Sequence, residues 1–216
     1  MKHHLIFLFS WAIVTLSVAS EPQNIDLIKR ELVKYYNSGE YNADVKTVVA
    51  CAKKYLDKYG QKDISSISKL AVIFDIDDTI LSLYLLKKRM DFGYTEKLYR
   101  QYIADEQQPA IKPAVELCNY VKSKGLSLFF ITGRPGGLQQ KTEKNLKLAG
   151  CKNWDALYLK PDDSSVSTAV FKARIRKKII SEGYVIVASI GDQYGDLYEG
   201  CTDCNFKLPN PFYLSN

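Results

Sequence analysis

Three short polar clusters hold the residues of this sequence best suited to chemistry. They are Asp75-Ile76-Asp77-Asp78-Thr79, Thr132-Gly133-Arg134-Pro135 and Gly191-Asp192-Gln193-Tyr194-Gly195-Asp196, and each follows directly on an apolar run. In an extended exit from a strand, residues two apart point to the same side, so Asp75 and Asp77 present neighbouring carboxylates. Carboxylates held that close repel unless a cation or a proton intervenes, and Asp192 adds a third from elsewhere in the chain. An all-oxygen set of this kind suits Mg2+, which usually keeps several waters and shares its site with a phosphate. Thr132 contributes a hydroxyl, and Gly133 stands where a backbone N–H can meet phosphate oxygens. Plainer readings exist for each cluster: Asp77 and Asp78 can form a turn or cap a helix before Thr79-Ile80-Leu81, and Thr-Gly commonly ends a strand. The conjunction of three such clusters favours a site. Lys172 is a candidate to neutralise a nucleophile and a phosphate together, but Arg174, Arg176, Lys177 and Lys178 crowd the same stretch and sequence chemistry alone does not separate them.

The elements that must position these clusters follow from hydrophobic periodicity. Ile25, Ile28, Leu32, Val33 and Tyr36 recur at helical spacing, as do Val45, Val48, Val49, Ala52, Tyr55, Leu56 and Tyr59, with a break around Asn37-Ser38-Gly39. Leu70 to Asp75, Leu126 to Ile131, Ala156 to Leu159 and Val185 to Ile190 are short apolar runs that read as buried strands. Between them, Pro113 to Lys124, Gln139 to Ala149 and Ser167 to Glu182 read as helices, stopped by Gly125, Gly150 and Gly183. Strands alternating with helices predict an α/β fold, a three-layer Rossmann-like parallel sheet covered on both faces. In such sheets ligands bind beyond the carboxyl ends of the strands, which is where the polar clusters fall.

Composition bounds the rest. With 216 residues, 46% hydrophobic and 25% charged, the chain is neither disordered, collagenous nor coiled coil. The formal charge of +6 is scattered rather than striped, which argues against a nucleic acid polymer as partner and fits small anions. Residues 1–20 show the order of a secretory signal peptide, with Lys2, an apolar stretch from Leu5 to Val18 and small residues before Glu21. That stretch is short for a bilayer, which needs ~20 apolar residues, so the expectation is a secreted or periplasmic protein with no stable membrane anchor after cleavage. Residues 21–216 then form one domain. In an oxidising compartment some of the five cysteines should pair, Cys201–Cys204 being the nearest candidates and Cys118–Cys151 a second.

These motifs, taken in order, resemble those of the haloacid dehalogenase (HAD) superfamily: Phe74 to Thr79, Ile131 to Arg134, a helix lysine, and Gly191-Asp192-Gln193 with Asp196. Asn153-Trp154-Asp155, Tyr184 to Val187 and Phe206 to Pro211 narrow the resemblance to the secreted acid phosphatases grouped with plant vegetative storage proteins. The likeness runs from about Asn24 to the C-terminus, with two departures: Asp78 stands where Glu is more usual, and Arg176-Lys177-Lys178 extends the basic pattern. It implies a HAD-like fold with a small helical cap inserted after the first motif, at about residues 83–110. The implied function is a Mg2+-dependent acid phosphatase acting on small phosphomonoesters through an aspartyl phosphate. Asp75 would be the nucleophile and Asp77 the general acid and base, and Mg2+ would be held by Asp75, the Asp77 carbonyl and Asp192 with Asp196 in support. Thr132, Gly133 and Lys172 would hold the phosphoryl group, with Arg134 as a further anion contact. Four tyrosines, Tyr84, Tyr94, Tyr99 and Tyr102, fall in the inserted segment, either as its own packing or as substrate contacts. Two other readings stay open: a non-enzymatic storage or binding protein on the same fold, and a phosphoacceptor signalling domain, which the signal peptide opposes. A homodimer is left open as well.

Overall fold

The computed structural model describes residues 21–59, 69–105, 108–197 and 202–215. The predicted signal segment and Cys201 lie outside them. Five parallel strands form one sheet in the order β3-β2-β1-β4-β5, with β1 Leu70–Phe74, β2 Ser127–Pro135, β3 Ala156–Lys160, β4 Val185–Gly191 and β5 Asn205–Lys207. The chain winds outward from β1 to β2 and β3, then crosses back to β4 on the other side. The crevice between the ends of β1 and β4 is therefore the topological switch point.

The period of two along β1 divides the core. Val72 and Phe74 face one side with Leu128, Phe130, Val187 and Ile190, and pack against α2 (Glu40–Leu56) and α5 (Lys112–Ser123). Ala71 and Ile73 face the other side with Phe129, Ile131 and Ile186, under Phe171 and Ile179 of α7 (Thr168–Ser181). Helix ends carry the chemistry expected of them. Asn24 caps α1 (Ile25–Asn37) through a 2.9 Å bond from the Asp26 N–H, and Ser167 caps α7 through a 3.3 Å bond from the Val170 N–H. Gly150 ends α6 (Gln139–Ala149) at φ 103°, a conformation costly for any residue with a Cβ.

The segment after the first motif leaves the sheet and returns to it. Its two stems are hydrogen-bonded together, Ser82 N–H to Pro109 O and Ile111 N–H to Ile80 O, each at 2.8 Å. Between them lie α3 (Tyr84–Arg89) and α4 (Glu96–Ala104), with a small core of Leu83, Leu86 and Tyr102. Two of the contacts that tie this insertion to the body lie on opposite sides of it. Tyr84 stacks on Tyr36 of α1 with ring centroids 3.6 Å apart, and Asn145 of α6 donates to Ile103 O at 3.2 Å.

The sequence reading differs from the structure at three places. β2 runs on through the polar Thr132-Gly133-Arg134 to Pro135, because these residues find partners within the site. β5 is a three-residue edge strand, too short and too polar to show an apolar run. Cys118 and Cys151 are both buried, as expected of a pair, but they stand as free thiols.

Candidate active site

Asp75 is the residue after β1, and its N–H is bound to Ile190 O of β4 at 3.0 Å, which fixes it over the switch point. Asp192 follows β4 directly, and Asp196 lies one short turn further on. Gly191 is needed here, since a Cβ on it would fall 2.3 Å from the Cβ of Asp196. The three buried carboxylates of Asp75, Asp192 and Asp196 each bring an oxygen within 4.8 Å of the others. Lys172, from the first turns of α7, is buried between Asp75 and Asp196; it donates to Asp75 Oδ1 and to Asp196 Oδ1, the latter at 2.5 Å. The structure thus singles out Lys172 from its cationic neighbours. Arg176, one turn along, is buried too but binds the backbone oxygen of Asp196 at 2.9 Å.

One ammonium against three carboxylates leaves excess negative charge, and the acidities reflect it. Burial, with the charges of Asp196, Asp192 and Asp77, pushes Asp75 well above the ordinary carboxylate range, despite the pull of Lys172. Asp192 is pushed up to about 7 by burial and by Asp196 and Asp78. Burial works against the Lys172 ammonium, but Asp196 and Asp75 outweigh it and raise the group above its usual value. A buried, all-oxygen, over-negative set matches the donor preference of Mg2+ and similar hard divalent ions. Thr79, Gln193 and Asn210 hold Asp192 in place at 3.1, 2.6 and 2.7 Å, the kind of supporting shell that orients metal-binding carboxylates.

Asp77 turns its carboxylate away from that triad. Arg134 binds it two-pronged, Nη2 to Oδ1 at 2.6 Å and Nε to Oδ2 at 3.2 Å, and the Tyr99 hydroxyl donates to Oδ2 at 2.7 Å. The charge between Asp75 and Asp77 that spacing alone demanded is therefore met for Asp77 by a guanidinium. Arg134, expected among the phosphate contacts, is instead fully buried, stands outside the cavity wall and is committed to Asp77. Its own N–H donates to the Thr132 hydroxyl at 3.2 Å, so the Thr132-Gly133-Arg134 turn carries one residue toward each half of the site. A side chain at Gly133 would strike Thr168 Cγ2 at 2.7 Å.

These groups line one cavity of about 580 Å³, whose floor includes Asp75, Asp77, Thr132, Gly133, Lys172, Asp192 and Asp196. Its walls come largely from the insertion and from the last described residues: Leu86, Lys87, Met90, Tyr94, Tyr99 and Tyr213. Of the four tyrosines in the insertion, Tyr84 and Tyr102 pack inward while Tyr94 and Tyr99 face the cavity. Sequence reasoning counted Tyr99 among four tyrosines without singling it out, and gave no role to Lys87, Asn210 or Tyr213. Spacing offered no way to choose among the tyrosines, while Asn210 lay within the segment Phe206 to Pro211 that carried the resemblance.

The family described as HAD superfamily, subfamily IIIB (acid phosphatase) matches residues 9–216. The chain is 37% identical over 191 residues to the stem 28 kDa glycoprotein of Glycine max, covering 85% of this chain and 73% of that protein. It is 33% identical to vegetative storage protein 2 of Arabidopsis thaliana, covering 82% and 67%, and 32% identical to acid phosphatase 1 of Solanum lycopersicum, covering 65% and 57%. Among solved structures, the class C acid phosphatase of Bacillus anthracis shares the fold with a TM-score of 0.68 at 19% identity, over 87% of this chain and 86% of that one. No described helix is long and apolar enough to cross a membrane.

Proposed function

The chain belongs to the acid phosphatases of HAD superfamily subfamily IIIB, and we propose that this phosphomonoesterase hydrolyses small phosphomonoesters through a phosphoenzyme at Asp75, with Mg2+, outside the cytoplasm. The observation that carries the reading is the separation of two aspartates two residues apart: Asp75 is bound to Lys172 and Asp77 to Arg134 and Tyr99. Two carboxylates in different environments suit two different roles. The ammonium beside Asp75 neutralises charge as its oxygen approaches phosphorus, and the bond to the leaving oxygen breaks as the Asp75–phosphate bond forms. Asp77, on the insertion side, gives its proton to the departing alcohol and in the second step takes one from the attacking water. Thr132 and the Gly133 N–H, which line the same cavity, would hold the phosphoryl oxygens.

The Asp75, Asp192 and Asp196 carboxylates, with the Asp77 backbone carbonyl, would hold the metal ion. When bound, Mg2+ supplies the remaining positive charge that a transferring phosphoryl group requires. The relatives named as storage proteins support a competing reading, in which the fold is kept without turnover. A buried nucleophile–lysine pair opposes it, since storage does not need one. Export rests on the order of residues 1–20 and on the glycoproteins among the relatives. The test is hydrolysis of phenyl phosphate by the purified chain with and without thorough chelation, combined with acid-quench trapping of phosphoenzyme. Full activity after chelation would overturn the metal assignment, and no turnover by metal-loaded protein would leave the storage reading standing.

A further inference from the structure

We propose that Lys87 recognises a carboxylate on the leaving half of the substrate, so that the cavity selects phosphomonoesters whose alcohol or phenol carries a second anionic group. This rests on the phosphatase reading for the position of the phosphoryl group and deepens it to a substrate class.

Lys87 sits on α3 with only 5% of its surface exposed, and it lines the same cavity as Asp75 and Asp77. Its Nζ lies 4.2 Å from the ring centre of Tyr213 and 5.3 Å from that of Tyr94. Among the described residues no carboxylate comes within ion-pair distance of it. The other cations of the cavity differ: Lys172 is bound to Asp75 and Asp196, Arg100 is bound to Glu96 and Asp162, and Lys160 is only half-buried. Asp78 and Asp77 act on Lys87 through space without pairing with it: Asp77 is bound by Arg134 and Tyr99, and Asp78 accepts from the Leu83 N–H at 2.8 Å through Oδ1 while its buried Oδ2 has no hydrogen-bond partner among the described residues. Aromatic faces offset part of the cost of burying an ammonium, but a buried charge is ordinarily paired. A largely buried cation that faces a ligand cavity and makes no ion-pair contact with the acids around it is a recognition element for an anion entering that cavity.

Its position says which half of the substrate it meets. The phosphoryl group belongs at the floor, among Asp75, Thr132 and Lys172. Asp77 must face the scissile oxygen, and Asp77 is bonded to Tyr99 of the insertion. What extends beyond that oxygen enters the space between α3, α4 and Tyr213, where Lys87 stands. A single ammonium balances a single charge, which favours a carboxylate over a second phosphate carrying about −1.5 to −2.

The experiment measures binding without requiring turnover. Benzylphosphonate, its 3- and 4-carboxy derivatives and the uncharged 4-carbamoyl derivative are titrated calorimetrically into metal-loaded wild type, Lys87→Met and Lys87→Arg. In wild type one carboxy isomer is expected to bind about tenfold tighter than benzylphosphonate, with the carbamoyl compound showing no such gain. The ratio should fall to near one in Lys87→Met and persist in Lys87→Arg. Equal affinities for all four compounds in wild type would overturn the proposal. So would a Lys87→Met protein that weakens every phosphonate equally, since Lys87 would then be touching the phosphoryl group. Hydrolysis of phenyl and carboxyphenyl phosphates separates the two readings. A binding preference without any hydrolysis would sink the enzyme and keep the recognition, and hydrolysis of both without preference would do the reverse.

Discussion

The phenol of Tyr99 and the carboxylate of Asp77 meet at 2.7 Å across the boundary between the insertion and the end of β1. Tyr99 thus joins the insertion by a side-chain hydrogen bond to the carboxylate expected to act as acid and base, while the Leu83 N–H binds the neighbouring Asp78 carboxylate at 2.8 Å. Removing it by Tyr99→Phe leaves both Arg134 bonds intact, so Asp77 stays in place but turns more freely. Turnover of an alkyl phosphate is expected to fall roughly tenfold, since one hydrogen bond to a charged group is worth ~1.5–3 kcal/mol at most. Metal affinity by calorimetry should be unchanged, and a parallel loss of metal would count against the assignment.

The two aspartates are expected to fail differently. Asp75→Asn should abolish turnover, because an amide cannot form the acyl phosphate and also weakens the metal set. Asp77→Asn should retain metal and lose about 10²–10⁴-fold on alkyl phosphates, the usual worth of general acid–base catalysis. The loss in the first step should be smaller for an aryl phosphate, whose leaving group needs less protonation. Measuring kcat/KM on one substrate of each kind checks this; equal losses on both would remove Asp77 from its role.

Arg134 is a structural commitment as much as a catalytic one. It is fully buried, and Arg134→Met would leave the buried Asp77 carboxylate without its guanidinium partner. Breaking one side of a buried pair costs about 3–5 kcal/mol. Chemical denaturation should show that loss, whereas Tyr99→Phe, which removes one hydrogen bond to a charged group and leaves the guanidinium in place, should cost about 1.5 kcal/mol.

Acidity gives a fourth expectation. Burial and neighbouring acids push Asp192 up to about 7, and burial followed by Asp77 pushes Asp78 to about the same value. Unfolded, both would titrate near 4. Between pH ~4 and ~7 the native metal-free protein thus binds more protons than the unfolded chain, and its stability must fall as pH rises through that window. Thermal melts of metal-free protein should drop by several degrees from pH 5 to pH 7.5. Mg2+ should restore more at pH 7.5 than at pH 5, because only ionised carboxylates bind it. A metal-free melting temperature that rises over this range would contradict the assignment.

The cysteines offer a chemical check. Cys51 is exposed, whereas Cys118 and Cys151 are buried and burial pushes the Cys118 thiol up. In reduced native protein, an alkylating reagent should modify Cys51 readily and Cys118 and Cys151 only after unfolding.

Much of this architecture was legible in the chain. Apolar runs such as Leu70 to Phe74 announced buried strands, and the polar residues closing three of them marked the binding edge, because together they exceed what turns and caps would need. Asp75, Asp192, Asp196 and Lys172 converge as the motifs implied. What stayed hidden was set by tertiary contact rather than by local pattern. Whether Arg134 faces phosphate or Asp77 depends on a rotamer, and whether Tyr99 or Tyr102 faces the cavity depends on how α4 is rolled. Neither leaves a mark on spacing or composition.

The stack of Tyr84 on Tyr36, with the Tyr84 hydroxyl donating to Asn37 Oδ1 at 3.3 Å, pins one side of the insertion to α1, and Asn145 pins the other to α6. A roof fastened along two edges can swing only by breaking one of those fastenings. Traffic in and out then passes through a standing aperture, and admission is decided by girth. Slender esters and flexible chain ends can thread to the floor, while a phosphate borne on a rigid, broad surface is turned away at the rim. The selectivity that a hinged lid achieves by closing would here be built into the masonry, and it would hold equally for entering substrate and departing product.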